Sequence, residues 1–374
     1  MEVILQCGPN DKIIKNLGQV LYELPLINSY VLKIADEDLE KLNQLEQITY
    51  FQSTKIAAQM ETERRLLDAE SAYSEGLTGK GISIAFLDTG VSPVADFTIP
   101  KNRISAFIDI INNNKRPYDD NGHGTHVCGI ATGNGYNSGG RYMGIAPESN
   151  VISIKVLDKD GVGNSIRVLA GLQWIIDNHE EYNIRIVNLS VGASNSNTDD
   201  PLVKGVEALW DSGIIVVAAA GNNGPTSGTI TSPGISKKII TVGAADDNEQ
   251  VEIWGNSLVN FSGRGPTADC IIKPDVLAPG ANIISCLGNN NKYERIVSKN
   301  YHRLSGTSMA TPMVSGALAL LLQKYPKIAP NSVKYLIKIS SSSLGFPGNQ
   351  QGWGLLNIKK LIGGVSDRNS KQFT

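Results

Sequence analysis

Five short runs of apolar, largely β-branched residues mark the chain at 82–87, 151–156, 184–189, 214–219 and 239–242. They alternate little between apolar and polar positions. That is the pattern of parallel strands buried on both faces. Helical periodicity runs over 166–178, 202–210, 307–324 and 331–339. The first helix follows Asn164-Ser165, a capping pair, and the second follows Asp199-Asp200-Pro201, an acidic start with proline at or near the first turn. Strands and helices in this order predict a three-layer α/β fold around a mostly parallel central sheet.

The N-terminal stretch differs. Residues 1–52 carry strand patterns at 3–5, 29–34 and 48–52 and a helix pattern at 36–45, with acids in its first turn and leucines on one face. This predicts a small α+β domain, either a docking module or the first part of a larger domain. Residues 53–74 are polar, charged and rich in helix formers, as in Glu61-Thr-Glu-Arg-Arg-Leu-Leu-Asp-Ala-Glu70. They are expected to form a solvated connector, leaving 75–374 as the large domain. There is no internal repeat.

Composition narrows the function. With 374 residues and 41% hydrophobic positions the chain can bury a sizeable core. A formal charge of −2 and the lack of a dense Lys/Arg block argue against nucleic-acid or membrane-surface partners. No apolar run is long enough for a bilayer span, and the first residues lack the basic and apolar regions of a signal peptide. Cys7, Cys128, Cys270 and Cys286 are scattered without metal-site spacing, so they are expected to be reduced thiols in a cytoplasmic protein.

Three stretches carry candidate chemistry. Ser305-Gly-Thr-Ser-Met-Ala-Thr-Pro-Met-Val-Ser-Gly316 runs from a loop into an apolar helix, with Ser308 at the junction. Taken alone, Ser308 reads as an N-cap. Ile84-Ala-Phe-Leu-Asp-Thr-Gly90 ends a strand in Asp88, and Asn121-Gly-His-Gly-Thr-His-Val-Cys-Gly129 opens a helix with two histidines, His123 and His126. The order Asp88, His123, Ser308 is one of the known orders of the acyl-transfer triad.

These motifs resemble those of the subtilisin-like serine proteases over roughly residues 75–360. The resemblance is to an intracellular bacterial type with an N-terminal propeptide. It implies a serine endopeptidase whose nucleophile is Ser308, whose base is His123 and whose orienting carboxylate is Asp88. His126 is then a structural helix residue. Asn222, in Ala218-Ala-Ala-Gly-Asn-Asn-Gly224, matches the oxyanion-hole amide, with the Ser308 N–H as second donor. Gly161, Val162 and Gly163, together with Ser190, Val191 and Gly192, match the two edges that pair with substrate backbone.

Ser190–Gly192, Ala219, Ala220 and Gly221, and Thr231–Gly234 match the walls of the pocket for the residue before the scissile bond. Their small side chains imply a roomy apolar pocket. The rim position often held by an aromatic falls near Ser165. Phe261–Pro266 and Lys273–Gly280 match family turns. The resemblance further implies that residues 1–52 are a self-removed propeptide, with cleavage between Ser53 and Met60. No cofactor is implied for the chemistry. Structural calcium is common in the family, and Asp96 and Asn134 are the candidate ligands.

Other functions are less well matched. A nucleotide-binding α/β protein needs a phosphate loop, but the glycine-rich Gly133–Gly140 follows a helix and lacks GxGxxG and GKS/GKT. A small-ester hydrolase needs GxSxG, whereas Gly306-Thr-Ser-Met-Ala310 ends in alanine. A non-enzymatic binding protein on the same scaffold is the remaining alternative, and the complete triad weighs against it.

Overall fold

The computed structural model describes residues 2–6, 18–24, 29–35, 49–52, 59–193, 200–253, 255–288 and 296–364. The chain divides into two compact units, 1–58 and 59–374.

The first unit contains strands β1 (Glu2–Gln6), β2 (Gln19–Leu24), β3 (Ser29–Lys33) and β4 (Thr49–Gln52). They form an antiparallel sheet in the order β2-β3-β1-β4. Leu32 and Ile34 are buried. The strands expected at 3–5, 29–34 and 48–52 are present, and β2 joins them. The helix expected at 36–45 and positions 53–58 lie outside the described residues.

The second unit holds β5 (Ser83–Asp88), β6 (Ile104–Asp109), β7 (Asn150–Lys155), β8 (Ile184–Leu189), β9 (Ile215–Ala219) and β10 (Ile240–Ala244). A hairpin of β11 (Val251–Ile253) and β12 (Asn256–Leu258) precedes β13 (Val276–Ala278). The central sheet has seven strands in the order β13-β10-β9-β8-β5-β7-β6, all parallel. Every residue of β5, β9 and β10 is buried, as the unbroken apolar runs predict. A separate antiparallel sheet is made by β14 (Ile283–Cys286), β15 (Ile296–Ser298) and β16 (Tyr301–Leu304).

The helix Thr307–Lys324 packs against β8, β9 and β10 and is buried on nearly all sides through Leu322. Its sequence is apolar all round, as a helix inside a large core must be. The helix Ser165–Asn178 is capped by Asn164, whose side chain accepts from the Arg167 N–H, and the helix Pro201–Asp211 is capped by Asp200 with proline in its first turn. Helices and sheet together form the three-layer α/β architecture.

Residues 59–74 are not a solvated connector. They form helices Gln59–Leu66 and Glu70–Ser74, and Leu67, Ala69 and Ala72 enter the main core. The Arg64 guanidinium donates to the Met143 carbonyl at 2.7 Å. Leu66 stays exposed, and the three buried residues on the inner side anchor the segment.

The order of strands places the site. β5 is the first strand of the central sheet, yet it lies between β8 and β7. The chain therefore departs from β5 in both directions, and such a switch point leaves a crevice beyond the carboxyl ends of the strands. Asp88 ends β5, Ala219 ends β9 and Ser190 follows β8 directly, so all three stand on that edge.

Candidate active site

Asp88 is buried at the end of β5. Its Oδ1 accepts the Thr89 N–H at 2.7 Å and the His123 Nδ1–H at 2.7 Å. With Nδ1 donating to the carboxylate, Nε2 is the basic nitrogen of the neutral ring. His123 opens the helix His123–Thr132, and Gly122 before it has φ 106°, a left-handed conformation that favours glycine. Burial pulls the His123 pKa down, but the charge and hydrogen bond of Asp88, with Asp119 behind, outweigh it and leave the pKa raised.

Asp119 sets this helix against β5. Its Oδ1 accepts from Thr89 Oγ1 at 2.9 Å and from the Asn121 and Gly122 N–H groups. Its Oδ2 accepts the Thr125 N–H at 2.8 Å and the Thr125 hydroxyl at 2.6 Å. Thr89 Oγ1 accepts the Gly124 N–H in turn. A buried carboxylate is favoured here because it meets unpaired N–H groups at a helix N-terminus.

His126 lies away from this cluster. Its Nε2–H donates to the Ile283 carbonyl at 3.1 Å, and its ring meets His302 edge-on at 4.7 Å. Burial, then the neighbouring His302 and His123, hold its pKa well below the ordinary value. It is a neutral core residue, as expected.

Ser308 is the second residue of its helix, and Gly306 takes the N-cap position. The cap interpretation of Ser308 therefore does not hold. Its hydroxyl donates to the Ser190 carbonyl at 3.1 Å. Asn222 approaches from the end of β9. Its Oδ1 accepts the Thr307 N–H at 2.9 Å and the Thr307 hydroxyl at 3.0 Å, which assigns Nδ2 as its donor. Thr307 Oγ1 also accepts the Gly221 N–H at 3.2 Å.

A cleft of about 450 Å³ brings His123, Ser308 and Asn222 together with Gly161–Gly163, Ser190–Gly192, Ala219, Gly221 and Thr231. Ser165 stands in its lining beside Leu157, Val168 and Leu202. The loop bearing Gly161–Gly163 is folded on Asp158, which accepts the Asp160 and Val162 N–H groups, each at 3.0 Å. Among the expected wall residues Gly234 is not part of this lining, and neither is Ala220. Ala220 packs into a small core with Val203, Ile230 and Ile235, because side chains alternate along the extended chain leaving β9.

Asp96 and Asn134 do not form a calcium site. Asp96 is fully buried; its Oδ1 accepts the Asn137 N–H, and its Oδ2 accepts the Tyr301 hydroxyl at 2.8 Å. Asn134 Nδ2 donates to the Ile99 carbonyl and its Oδ1 accepts the Tyr136 N–H. Calcium needs several free oxygens, and these are spent on neutral donors. Among the described residues no cluster of His, Cys, Asp and Glu could hold a metal ion. Cys128 and Cys286 are buried free thiols whose pKa values burial raises well above normal, so neither is a ready nucleophile.

Sequence reasoning missed Asp119, Thr307 and Lys155. Asp119 and Thr307 flank the motif residues already singled out. Lys155 is the one charge in the apolar run 151–156; it is fully buried and donates to the Thr89 carbonyl at 2.7 Å, the Leu157 carbonyl at 2.8 Å and Asp120 at 2.7 Å.

Comparison with known proteins agrees with this geometry. Residues 79–354 match the subtilase family, Peptidase_S8. The chain is 43% identical over 299 residues to the serine protease AprX of Bacillus subtilis, covering 76% of this chain and 67% of that protein. It is 31% identical over 345 residues to an alkaline protease of Alkalihalobacillus alcalophilus, covering 91% and 81% respectively. It is 33% identical over 293 residues to subtilisin Savinase of Lederbergia lenta, covering 78% of this chain and 95% of that one. The chain belongs to the subtilase family and is a subtilisin-like serine endopeptidase.

Proposed function

We propose that this endopeptidase cuts protein substrates through Asp88, His123 and Ser308. The observation that carries the assignment is the 2.7 Å bond from His123 Nδ1 to Asp88, on a ring that lines the same cleft as Ser308. Ser308 Oγ attacks the substrate carbonyl carbon while its proton passes to His123 Nε2. Asp88 keeps the ring oriented and stabilises the imidazolium. The oxyanion is held by Asn222 Nδ2–H and the Ser308 N–H. The C–N bond then breaks, and His123 gives its proton to the departing amine. Water, deprotonated by His123, attacks the remaining ester, releasing the acid and restoring Ser308. This chemistry draws on no cofactor.

The substrate strand runs between Gly161–Gly163 and Ser190–Gly192, pairing through backbone. In the resting geometry the Ser308 hydroxyl points at the Ser190 carbonyl. A substrate N–H that takes over this carbonyl releases the hydroxyl toward His123. The side chain before the scissile bond then falls between Ser190–Gly192, next to Ser308, and Ala219–Gly221, next to Asn222. A fluorophosphonate probe, with the modified residue mapped by mass spectrometry, tests the assignment. Labelling at Ser308 that is lost in His123→Ala is expected, and labelling elsewhere overturns it.

We further propose that the N-terminal unit is a propeptide released by self-cleavage between Ser53 and Met60. What supports this is the division of the chain at 58/59, inside that window. The free thiols Cys128, Cys270 and Cys286 support a reducing, cytoplasmic location.

A further inference from the structure

Thr231 stands between two glycines of the cleft. A Cβ built on Gly192 would collide with Thr231 Oγ1, and one built on Gly221 would lie 2.6 Å from Thr231 Cγ2. The side chain therefore fills the gap that these glycines leave open, and each glycine is required because threonine is there. The residue is 6% exposed and its hydroxyl has no hydrogen-bond partner. Its backbone cannot retreat. The Thr231 N–H donates to the Ala220 carbonyl at 3.0 Å, and Ser232 pairs with Ala193 through both of its backbone groups, at 2.9 and 3.0 Å. The Ser232 hydroxyl is held by buried Asp200 at 2.7 Å. Thr231 therefore occupies part of the space that the small wall residues leave.

We infer that Thr231 is the floor of a shortened slot and restricts the enzyme to cutting after small side chains, of the alanine and serine class. This rests on the proposed path of the substrate, in which the residue before the scissile bond enters between Gly192 and Gly221. An aromatic or leucine side chain there would need the volume that the Thr231 hydroxyl and methyl occupy. An unpartnered buried hydroxyl also favours an occupant that can hydrogen-bond to it, so serine should exceed alanine.

The test is kcat/KM for a peptide p-nitroanilide series differing only in this residue: Ala, Ser, Leu and Phe. The wild type should favour Ala and Ser over Phe by roughly tenfold or more, the discrimination a few methylene groups command in a closed pocket. Thr231→Gly should raise the Phe/Ala ratio by at least about tenfold. Thr231→Ala, which keeps a Cβ and its backbone preference, should fall between. Thr231→Val preserves the shape and should keep the exclusion of Phe while losing the edge of Ser over Ala. Equal rates on Phe and Ala in the wild type, or unchanged ratios in Thr231→Gly and Thr231→Ala, overturn the inference. Failure of the triad assignment would look different, as no turnover of any substrate and no probe at Ser308.

Discussion

Ser190 and Ser308 are bonded to each other twice. The Ser308 hydroxyl donates to the Ser190 carbonyl at 3.1 Å, and the Ser190 hydroxyl donates to the Ser308 carbonyl at 2.9 Å. The second bond exists because Pro312, four residues on, has no N–H to give the Ser308 carbonyl. Asn188 Nδ2 reaches Ser190 Oγ at 3.0 Å, and Ser315 Oγ donates to Asn188 Oδ1 at 2.8 Å. The end of β8 and the first turns of the Ser308 helix thus hold each other in place, and a proline inside a buried helix acquires a purpose.

Thr307→Val keeps the shape of the residue but removes the hydroxyl that donates to Asn222 Oδ1. It also removes the acceptor of the Gly221 N–H. The loss of the bond to Asn222, worth ~1 kcal/mol, should lower kcat about fivefold by loosening the oxyanion donor. KM should stay within about twofold, because the substrate ground state does not use this amide. A change confined to KM would show that Thr307 shapes the cleft instead.

The pH dependence has a definite sign. A protonated His123 cannot accept the Ser308 proton, so kcat/KM should rise with pH. The midpoint should lie above the ordinary histidine value of about 6.5, since Asp88 and Asp119 raise the His123 pKa against the effect of burial. Asp119→Asn removes one of those charges and should move the midpoint to lower pH. A profile that falls over the same range would rule out His123 as the base.

Glu63 makes the second unit sensitive to alkali. It is buried in the helix Gln59–Leu66, its Oε2 has no hydrogen-bond partner, and burial, with Asp246 adding, pushes its pKa up to about 8. From about pH 4 to about pH 8 the folded state holds a proton that the unfolded chain releases, so this group lowers stability as pH rises. In a Ser308→Ala background, which avoids autolysis, melting temperature should fall between pH 6 and 9. Glu63→Gln should flatten that slope and melt on the order of 2 °C higher at pH 9. Parallel pH curves for the two proteins would count against a buried, protonated Glu63.

Self-processing is tested by intact mass. The wild type should lose or nick its N-terminus between Ser53 and Met60, and Ser308→Ala should stay whole. An active but uncut wild type would make residues 1–52 a permanent domain. Cutting of the pure variant at that site would assign the step to another protease.

Much of this protein is determined by neighbours in sequence. The buried strands β5, β7, β8, β9 and β10 and the helix Thr307–Lys324 follow from apolar runs and periodicity, and Asn164 and Asp200 cap helices as their positions imply. β13 has three residues inside a stretch that reads as a turn, and the edge strand β6 is only partly buried, so neither stands out by pattern. The motif residues Asp88, His123, Asn222 and Ser308 can be picked out in the sequence because each sits where a strand ends or a helix begins. Their support cannot. Thr89 with Asp119, Ser190 with Ser308, and Thr231 with Gly192 and Gly221 meet only when strands and helices far apart in sequence are packed. Small residues at 192 and 221 suggest open space when read along the chain. Tertiary packing decides otherwise, because the space that a glycine leaves belongs to whichever side chain the fold brings into it.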